Sequence, residues 1–238
     1  MVDMPSPSPE GAAPTPEVAA ATPEGATPGL DALHPAVATW FARRFPGGPT
    51  EAQTRSWPLV REGADVLVAA PTGSGKTLAG FLVAIDEAYR AHQAAEDFGA
   101  KTRVVYVSPL KALAVDVHQN FEQPLREIAT VAEELGLDAP RITVAVRTGD
   151  TPPAARAAML KGPPTFLVTT PESLYLYLTA GRSRASLDHV RTVIVDEIHA
   201  LAKDKRGSHL ALTLERLEHV QAEGRPQRVG LSATQKPI

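Results

Sequence analysis

Cysteine is absent from the 238 residues, so neither a disulfide framework nor a thiolate metal site is available, which suits a cytoplasmic protein. Long apolar runs are missing as well. No uninterrupted stretch approaches the roughly 20 residues that a membrane-spanning helix needs, and the amino terminus lacks the basic and apolar regions of a secretory signal. Charge of one sign is not in excess: 24 Lys and Arg against 27 Asp and Glu leave a net charge of -3. Residues 1–30 hold Asp3, Glu10, Glu17 and Glu24 with no Lys or Arg, and removing that -4 leaves +1 for residues 31–238. A general positive field for nucleic acid is therefore excluded, and any such contact has to come from local geometry. The seven histidines fall in no HExxH or related spacing, which argues against a zinc centre built on His199 and His209. What remains is a chain with 43% hydrophobic and 21% charged residues, enough for one or two domains with a sizeable core.

Met1 to Gly29 is dominated by Pro, Ala, Ser, Thr and Glu, and its only large apolar residues are Val2, Val18 and the methionines. Such a segment cannot bury enough surface to offset its ordering entropy, so a disordered leader is expected over residues 1–29 and a folded domain over 30–238.

The chemistry begins at Asp65–Thr77, where Val66–Ala70 reads as a buried strand and Leu78, Phe81, Leu82, Ile85 and Tyr89 follow at helical spacing. The turn between them, Ala-Pro-Thr-Gly-Ser-Gly-Lys-Thr, departs from G-x-x-x-x-G-K-[ST] only at its first position, which is Ala70. At a helix start the unpaired N–H groups and the dipole favour an anion, and Gly73 and Gly75 let the backbone approach phosphates. In that reading Pro71, Thr72, Gly73, Ser74 and Gly75 cradle phosphates, Lys76 reaches the β and γ positions, and the Thr77 hydroxyl takes Mg²⁺. Upstream, Thr50-Glu51-Ala52-Gln53 follows a Pro-Gly-Gly-Pro turn and reads as a helix start with Thr50 as N-cap. Gln53 has two readings that the segment alone does not separate. It closes a capping box, or its amide matches the N6 and N7 of adenine.

From Lys101 onward strand-like and helix-like patterns alternate. Arg103–Ser108, Arg141–Val146, Thr165–Thr169, Arg191–Asp196 and Arg228–Leu231 join Val66–Ala70 as six β-branched runs, predicting a parallel sheet covered on both faces. Helices are expected over Leu113–Phe121 with a restart at Pro124, and over Ser208–Glu223 with Leu210, Leu214, Leu217 and Gln221 on one stripe. Polar clusters follow the strands at the end where open α/β sheets take ligands: Ser108-Pro109-Leu110-Lys111, Arg147-Thr148-Gly149-Asp150 and Thr169-Thr170-Pro171-Glu172-Ser173. Each alone is equally an ordinary cap or turn, but three on one edge suit a sugar-phosphate backbone held without sequence readout. The strand Val193-Ile194-Val195 delivers Asp196-Glu197-Ile198-His199 to the same edge. One carboxylate there can hold Mg²⁺ through its water shell while the other orients or deprotonates water. Ser232 and Thr234 close the last strand with hydroxyls placed to meet that acidic cluster.

In this order, Gln53, the Ala70–Thr77 loop, Ser-Pro-Leu-Lys-Ala-Leu at 108–113, Thr-Pro-Glu-Ser at 170–173, Asp-Glu-Ile-His at 196–199 and Ser-Ala-Thr at 232–234 resemble the first half of a superfamily 2 helicase. Asp196–Leu217, with Arg206-Gly207, most resembles the Lhr (large helicase-related) group. The resemblance implies a RecA-like P-loop domain with six or seven parallel strands, ATP and Mg²⁺ as ligands, and an ATP-dependent helicase activity. It implies that Gln53 contacts adenine, Lys76 and Thr77 bind triphosphate and metal, Asp196 supports the metal and Glu197 activates water. It further implies that His199, Ser232 and Thr234 couple hydrolysis to movement, and that Pro109, Lys111, Gly149, Thr170 and Arg206 lie near the nucleic-acid strand. A monomer acting on DNA with 3′ to 5′ polarity is expected, joined in cis to a second RecA-like domain not found in these residues. The readings standing beside it are an RNA-directed helicase and a stand-alone ATP-binding regulatory module.

Overall fold

Six short strands hydrogen-bond in parallel in the order β1-β6-β5-β2-β4-β3. The computed structural model describes residues 29–71, 73–96, 101–109 and 118–233. The strands are β1 (Val66–Ala69), β2 (Val104–Val107), β3 (Val144–Arg147), β4 (Phe166–Thr169), β5 (Thr192–Val195) and β6 (Gln227–Ser232). The helices are α1 (Pro35–Arg44), α2 (Glu51–Arg61), α3 (Lys76–Gln93), α4 (Gln123–Glu134), α5 (Pro153–Lys161), α6 (Pro171–Thr179), the one-turn α7 (Gly181–Arg184) and α8 (Ile198–Leu201), and α9 (Lys205–His219).

The central strands read Val-Val-Tyr-Val, Phe-Leu-Val-Thr and Thr-Val-Ile-Val with every residue buried, as strands covered on both faces should. Alternation divides them between two cores. Val104, Tyr106, Phe166, Val168 and Ile194 join α1, α2, α3 and α4 on one face. Val105, Val107, Leu167, Val193 and Val195 join α6 and α9 on the other. The six strands expected from the sequence are the six observed, with ends shifted by at most three residues. The largest shift is at β3, which starts at Val144 rather than Arg141 and takes in Arg147.

Three helical expectations change. The ten-residue α1 is an additional element, started by Pro35 and buried through Ala36, Val37, Trp40 and Phe41. The α9 helix begins at Lys205, because the Asp204 carboxylate accepts from the N–H groups of Arg206 and Gly207, and ends at His219. Gln221 therefore lies beyond the helix, where its amide donates to the Leu217 and Leu187 carbonyls. His118–Glu122 is a π-helical turn leading into α4, with Pro124 in the first turn as expected. The expected start of that helix at Leu113 lies outside the described residues.

Candidate nucleotide site and the strand-end edge

All carboxyl ends of a parallel sheet share one edge, so the strand order decides which clusters are neighbours. The β1-β6-β5 side brings together the loop after Ala69, Ser232 and Ala233, and Asp196–His199. The β2-β4-β3 side brings together Pro109, Thr170 and Gly149. The seam between the two halves is the β5/β2 pair, with Ile194 opposite Tyr106 and Val195 opposite Val107.

In the first half, Lys76 opens α3 and is 8% exposed. Its ammonium donates to the carbonyls of Ala70 at 2.6 Å and Pro71 at 2.7 Å. No carboxylate pairs with it among the described residues. Gly73 and Gly75 have φ of +83° and +76°, a left-handed conformation in which a Cβ is costly. A Cβ on Gly75 would also stand 2.5 Å from the Gln53 amide nitrogen. That amide is engaged twice: its oxygen accepts from Thr50 N at 2.9 Å and its nitrogen donates to Gly75 O at 3.2 Å. Thr50 completes the capping box and donates its hydroxyl to Ser74 O at 3.0 Å. The start of α2 is thus stitched to the phosphate-type loop. Since an amide offers two donors and two lone-pair sites, one of each stays open on Gln53, and the capping role does not preclude a contact with a base.

One cavity of about 480 Å³ takes in Gln53, Gly73, Gly75, Lys76, Thr77, Asp196 and Glu197, a size in the small-molecule range. Its outer wall brings residues that no sequence pattern singled out. Arg44 stacks over the Phe45 ring at 5.9 Å, and Glu127 accepts from the Trp40 indole at 2.7 Å. These come from α1 and α4, far apart in sequence, so only the tertiary pairing of the two helices reveals them.

At the carboxylates, Asp196 Oδ1 accepts from Glu197 N at 2.8 Å and Oδ2 accepts from the Tyr106 hydroxyl. Burial first, then the Asp196 charge and hydrogen bond, push the Tyr106 hydroxyl well above its ordinary pKa, while a hydrogen bond from Thr77 opposes the shift. Glu197 sits at φ +51°, a left-handed backbone on a non-glycine residue of the kind found at functional sites. His199 Nδ1 accepts from Ala233 N at 3.2 Å and lies 3.4 Å from the Ser232 hydroxyl, while Nε2 lies 3.2 Å from Glu197 Oε2. An N–H donated to Nδ1 leaves the proton on Nε2, so the imidazole donates to Glu197 as the neutral tautomer.

The donor chemistry fits a Mg²⁺ nucleotide. Thr77 and Asp196 offer hard oxygens, Lys76 is a buried cation whose partners are neutral carbonyls, and the buried Ser74 hydroxyl has no partner. Thr72 and Thr234 lie outside the described residues.

In the second half, Gly149 O accepts from Arg156 at 2.7 Å, and Arg156 also donates to Thr151 O at 2.7 Å. Arg147 is buried beside it, and burial followed by the Arg156 charge lowers its pKa. Thr170 is the N-cap of α6, with its hydroxyl accepting from Ser173 N. Arg206 crosses from α9 to Glu172 at 2.7 Å and to Pro109 O at 3.4 Å. The hydrogen bond from Arg206 outweighs burial in holding Glu172 below its ordinary pKa. Gly207 beside it is required sterically, since a Cβ there would meet Leu201 O at 2.2 Å. Lys111 lies outside the described residues.

A family described as DEAD/DEAH box helicase matches residues 50–238. The Lhr helicase of Mycolicibacterium smegmatis is 54% identical over 213 residues, covering 90% of this chain and 14% of that protein. The ATP-dependent helicase Lhr-Core of Methanothermobacter thermautotrophicus is 49% identical over 208 residues, with 87% and 23% covered. Among solved structures, Mycobacterium smegmatis helicase Lhr bound to ssDNA and AMP-PNP superposes with TM-score 0.79 at 53% identity, covering 88% of this chain and 26% of that one. DEAD-box helicase Mss116 shares the fold, with TM-score 0.71 at 22% identity over 87% of this chain and 41% of that one. The chain therefore spans between about a seventh and a quarter of the length of its Lhr relatives.

Proposed function

Because the chain belongs to the DEAD/DEAH box helicase family, with high identity to Lhr proteins, we propose that it is the ATP-binding unit of a helicase that moves 3′ to 5′ along single-stranded DNA. In this reading residues 30–238 form the first RecA-like domain, and a second such domain in cis completes the motor. The observation that carries the proposal is the adjacency of β1, β6 and β5, which seats the buried Lys76 ammonium, the Asp196-Glu197 pair and the His199–Ala233 contact side by side.

Each residue then has work set by its geometry. Gln53 reads adenine with its open donor and lone pair, and the loop 71–75 with Lys76 holds the phosphates. Lys76 leaves the Ala70 and Pro71 carbonyls to do so. Thr77 and Asp196 hold Mg²⁺, which neutralises charge on the transferring phosphoryl oxygens when bound. Glu197 orients and deprotonates the attacking water, with the His199 Nε2–H keeping its carboxylate aimed. Through Ala233 N and the Ser232 hydroxyl, His199 ties that carboxylate to the end of β6, the path by which hydrolysis reaches the rest of the motor, Thr234 included. Pro109, Gly149, Thr170 and Arg206 lie on the β2-β4-β3 half of the edge, which supports contact with sugar-phosphate rather than bases, and Lys111 is assigned the same role.

Binding of a fluorescent ATP analogue tests the cradle. Lys76→Ala is expected to abolish binding by the 238-residue chain, and retained affinity would refute the assignment. In a longer chain carrying both RecA-like domains, Glu197→Gln is expected to bind ATP and lose turnover on ssDNA. Hydrolysis at the parent rate would remove Glu197 as the base, and stimulation by RNA alone would replace DNA as the substrate.

A further inference from the structure

Tyr106 lies on the seam of the strand-end edge, in β2 but touching the cluster carried by β5. It is the polar-tipped residue of an otherwise aliphatic strand, 4% exposed, and a buried phenol needs a hydrogen-bond partner. It has one in Asp196, whose Oδ2 accepts from the Tyr106 hydroxyl. The same phenol thus holds the carboxylate that the proposed nucleotide site offers to Mg²⁺. Asp196 Oδ1 is fixed separately by Glu197 N, so Tyr106 supplies the second of two restraints on the carboxylate.

The ring end is anchored as firmly. Tyr106 meets Phe121 edge-on with centroids 4.9 Å apart, and Phe121 meets Phe81 at 4.2 Å. Phe121 belongs to the π-helical turn His118–Glu122, and Gln119 and Asn120 of that turn line the nucleotide cavity. The phenol is therefore set by β2 and by the segment after it, not by the phosphate loop.

We infer that Tyr106 is a positioning residue for the metal, orienting the Asp196 carboxylate from the neighbouring half of the sheet. This rests on the proposed nucleotide site. Outer partners of metal ligands change metal affinity by about 10- to 100-fold when lost, and with one restraint on Asp196 remaining the lower end applies.

The test is Tyr106→Phe, which keeps the ring against Phe121 and removes only the hydroxyl. In the 238-residue chain, binding of a fluorescent AMP-PNP analogue is titrated with Mg²⁺ and, in parallel, with Mn²⁺. The expected result is a metal midpoint raised about 10-fold, with nucleotide affinity at saturating metal close to that of the parent. A purely packing role would lower the thermal midpoint and leave the metal midpoint where it was, and that outcome overturns the inference. Asp196→Asn provides the second arm. On that background Tyr106→Phe should have little further effect on the metal midpoint, and full additivity overturns the inference as well. Failure of the parent chain to bind the analogue at any metal concentration would instead refute the nucleotide site.

Discussion

Gly75 shows how one residue serves two neighbours. Its φ of +76° is open to glycine and costs an alanine about 1 kcal/mol. The space where a Cβ would sit is taken by the Gln53 amide nitrogen, 2.5 Å away, and moving that flexible tip breaks its hydrogen bond to Gly75 O, worth about 1 kcal/mol. Gly73 has a similar φ of +83° with nothing within 4 Å of its Cβ position. Urea unfolding should therefore place Gly75→Ala about 2 kcal/mol below the parent and Gly73→Ala about 1 kcal/mol below. Equal losses would mean that Gln53 adds nothing to the loop. Spacing alone singled out the lysine beside them, because GKT after a strand is the pattern of a phosphate-type loop. Tyr106 was not singled out, because a tyrosine in a buried strand is ordinary and its partner Asp196 lies 90 residues downstream.

Elements were legible where the pattern was local. β-branched runs between turn residues marked all six strands, although β1, expected to be buried, lies at the sheet edge with only Val68 buried, and the Thr50–Gln53 box marked the start of α2, because both signals lie within a few residues. Boundaries set by distant partners were not legible. Asp204 moves the start of α9 forward by a side-chain cap, and α1 is held by contacts remote in sequence. His34 shows the latter. It caps α1 with Nδ1 accepting from Ala36 N, its own N–H is bonded to Asp86 of α3, and its ring lies 5.1 Å from that of Tyr89. Burial lowers its pKa below the ordinary 6.5, outweighing the raising effect of Asp86, with Arg90 adding to the depression. Below pH 6.5 the unfolded chain binds the proton that the folded chain refuses, so stability falls as pH drops through that value. Urea midpoints measured between about pH 7.5 and about pH 5.5 should decline in the parent and decline less in His34→Asn, which retains a capping side chain. Identical slopes would show that His34 is already free to protonate in the fold.

At the scale of the molecule, the sheet order separates the proposed nucleotide chemistry on β1-β6-β5 from the proposed strand contacts on β2-β4-β3, and only the order of the strands, not their presence, creates that division. Parallel strands from distant parts of the chain can be counted in a sequence, yet their lateral order depends on crossovers that leave no local signal. The division also bounds what these 238 residues can do by themselves. Among the described residues, the arginine that lines the nucleotide cavity is Arg44, which lies over the Phe45 ring in its wall. An arginine supplied to a transferring phosphoryl group contributes about 10³- to 10⁵-fold in rate, or roughly 4–7 kcal/mol of barrier. The Lys76 ammonium in a charge-assisted hydrogen bond contributes about 1.5–3 kcal/mol, so the lysine does not substitute for it. The 238-residue chain is therefore expected to bind an ATP analogue, to hydrolyse ATP at least about 10³-fold more slowly than a longer chain with both RecA-like domains, and to leave a duplex intact. Single-turnover hydrolysis of both proteins with saturating ssDNA measures the ratio. Rates within a few-fold of each other, or duplex unwinding by residues 1–238, would show that the catalytic arginine and the motor are already complete within this one unit.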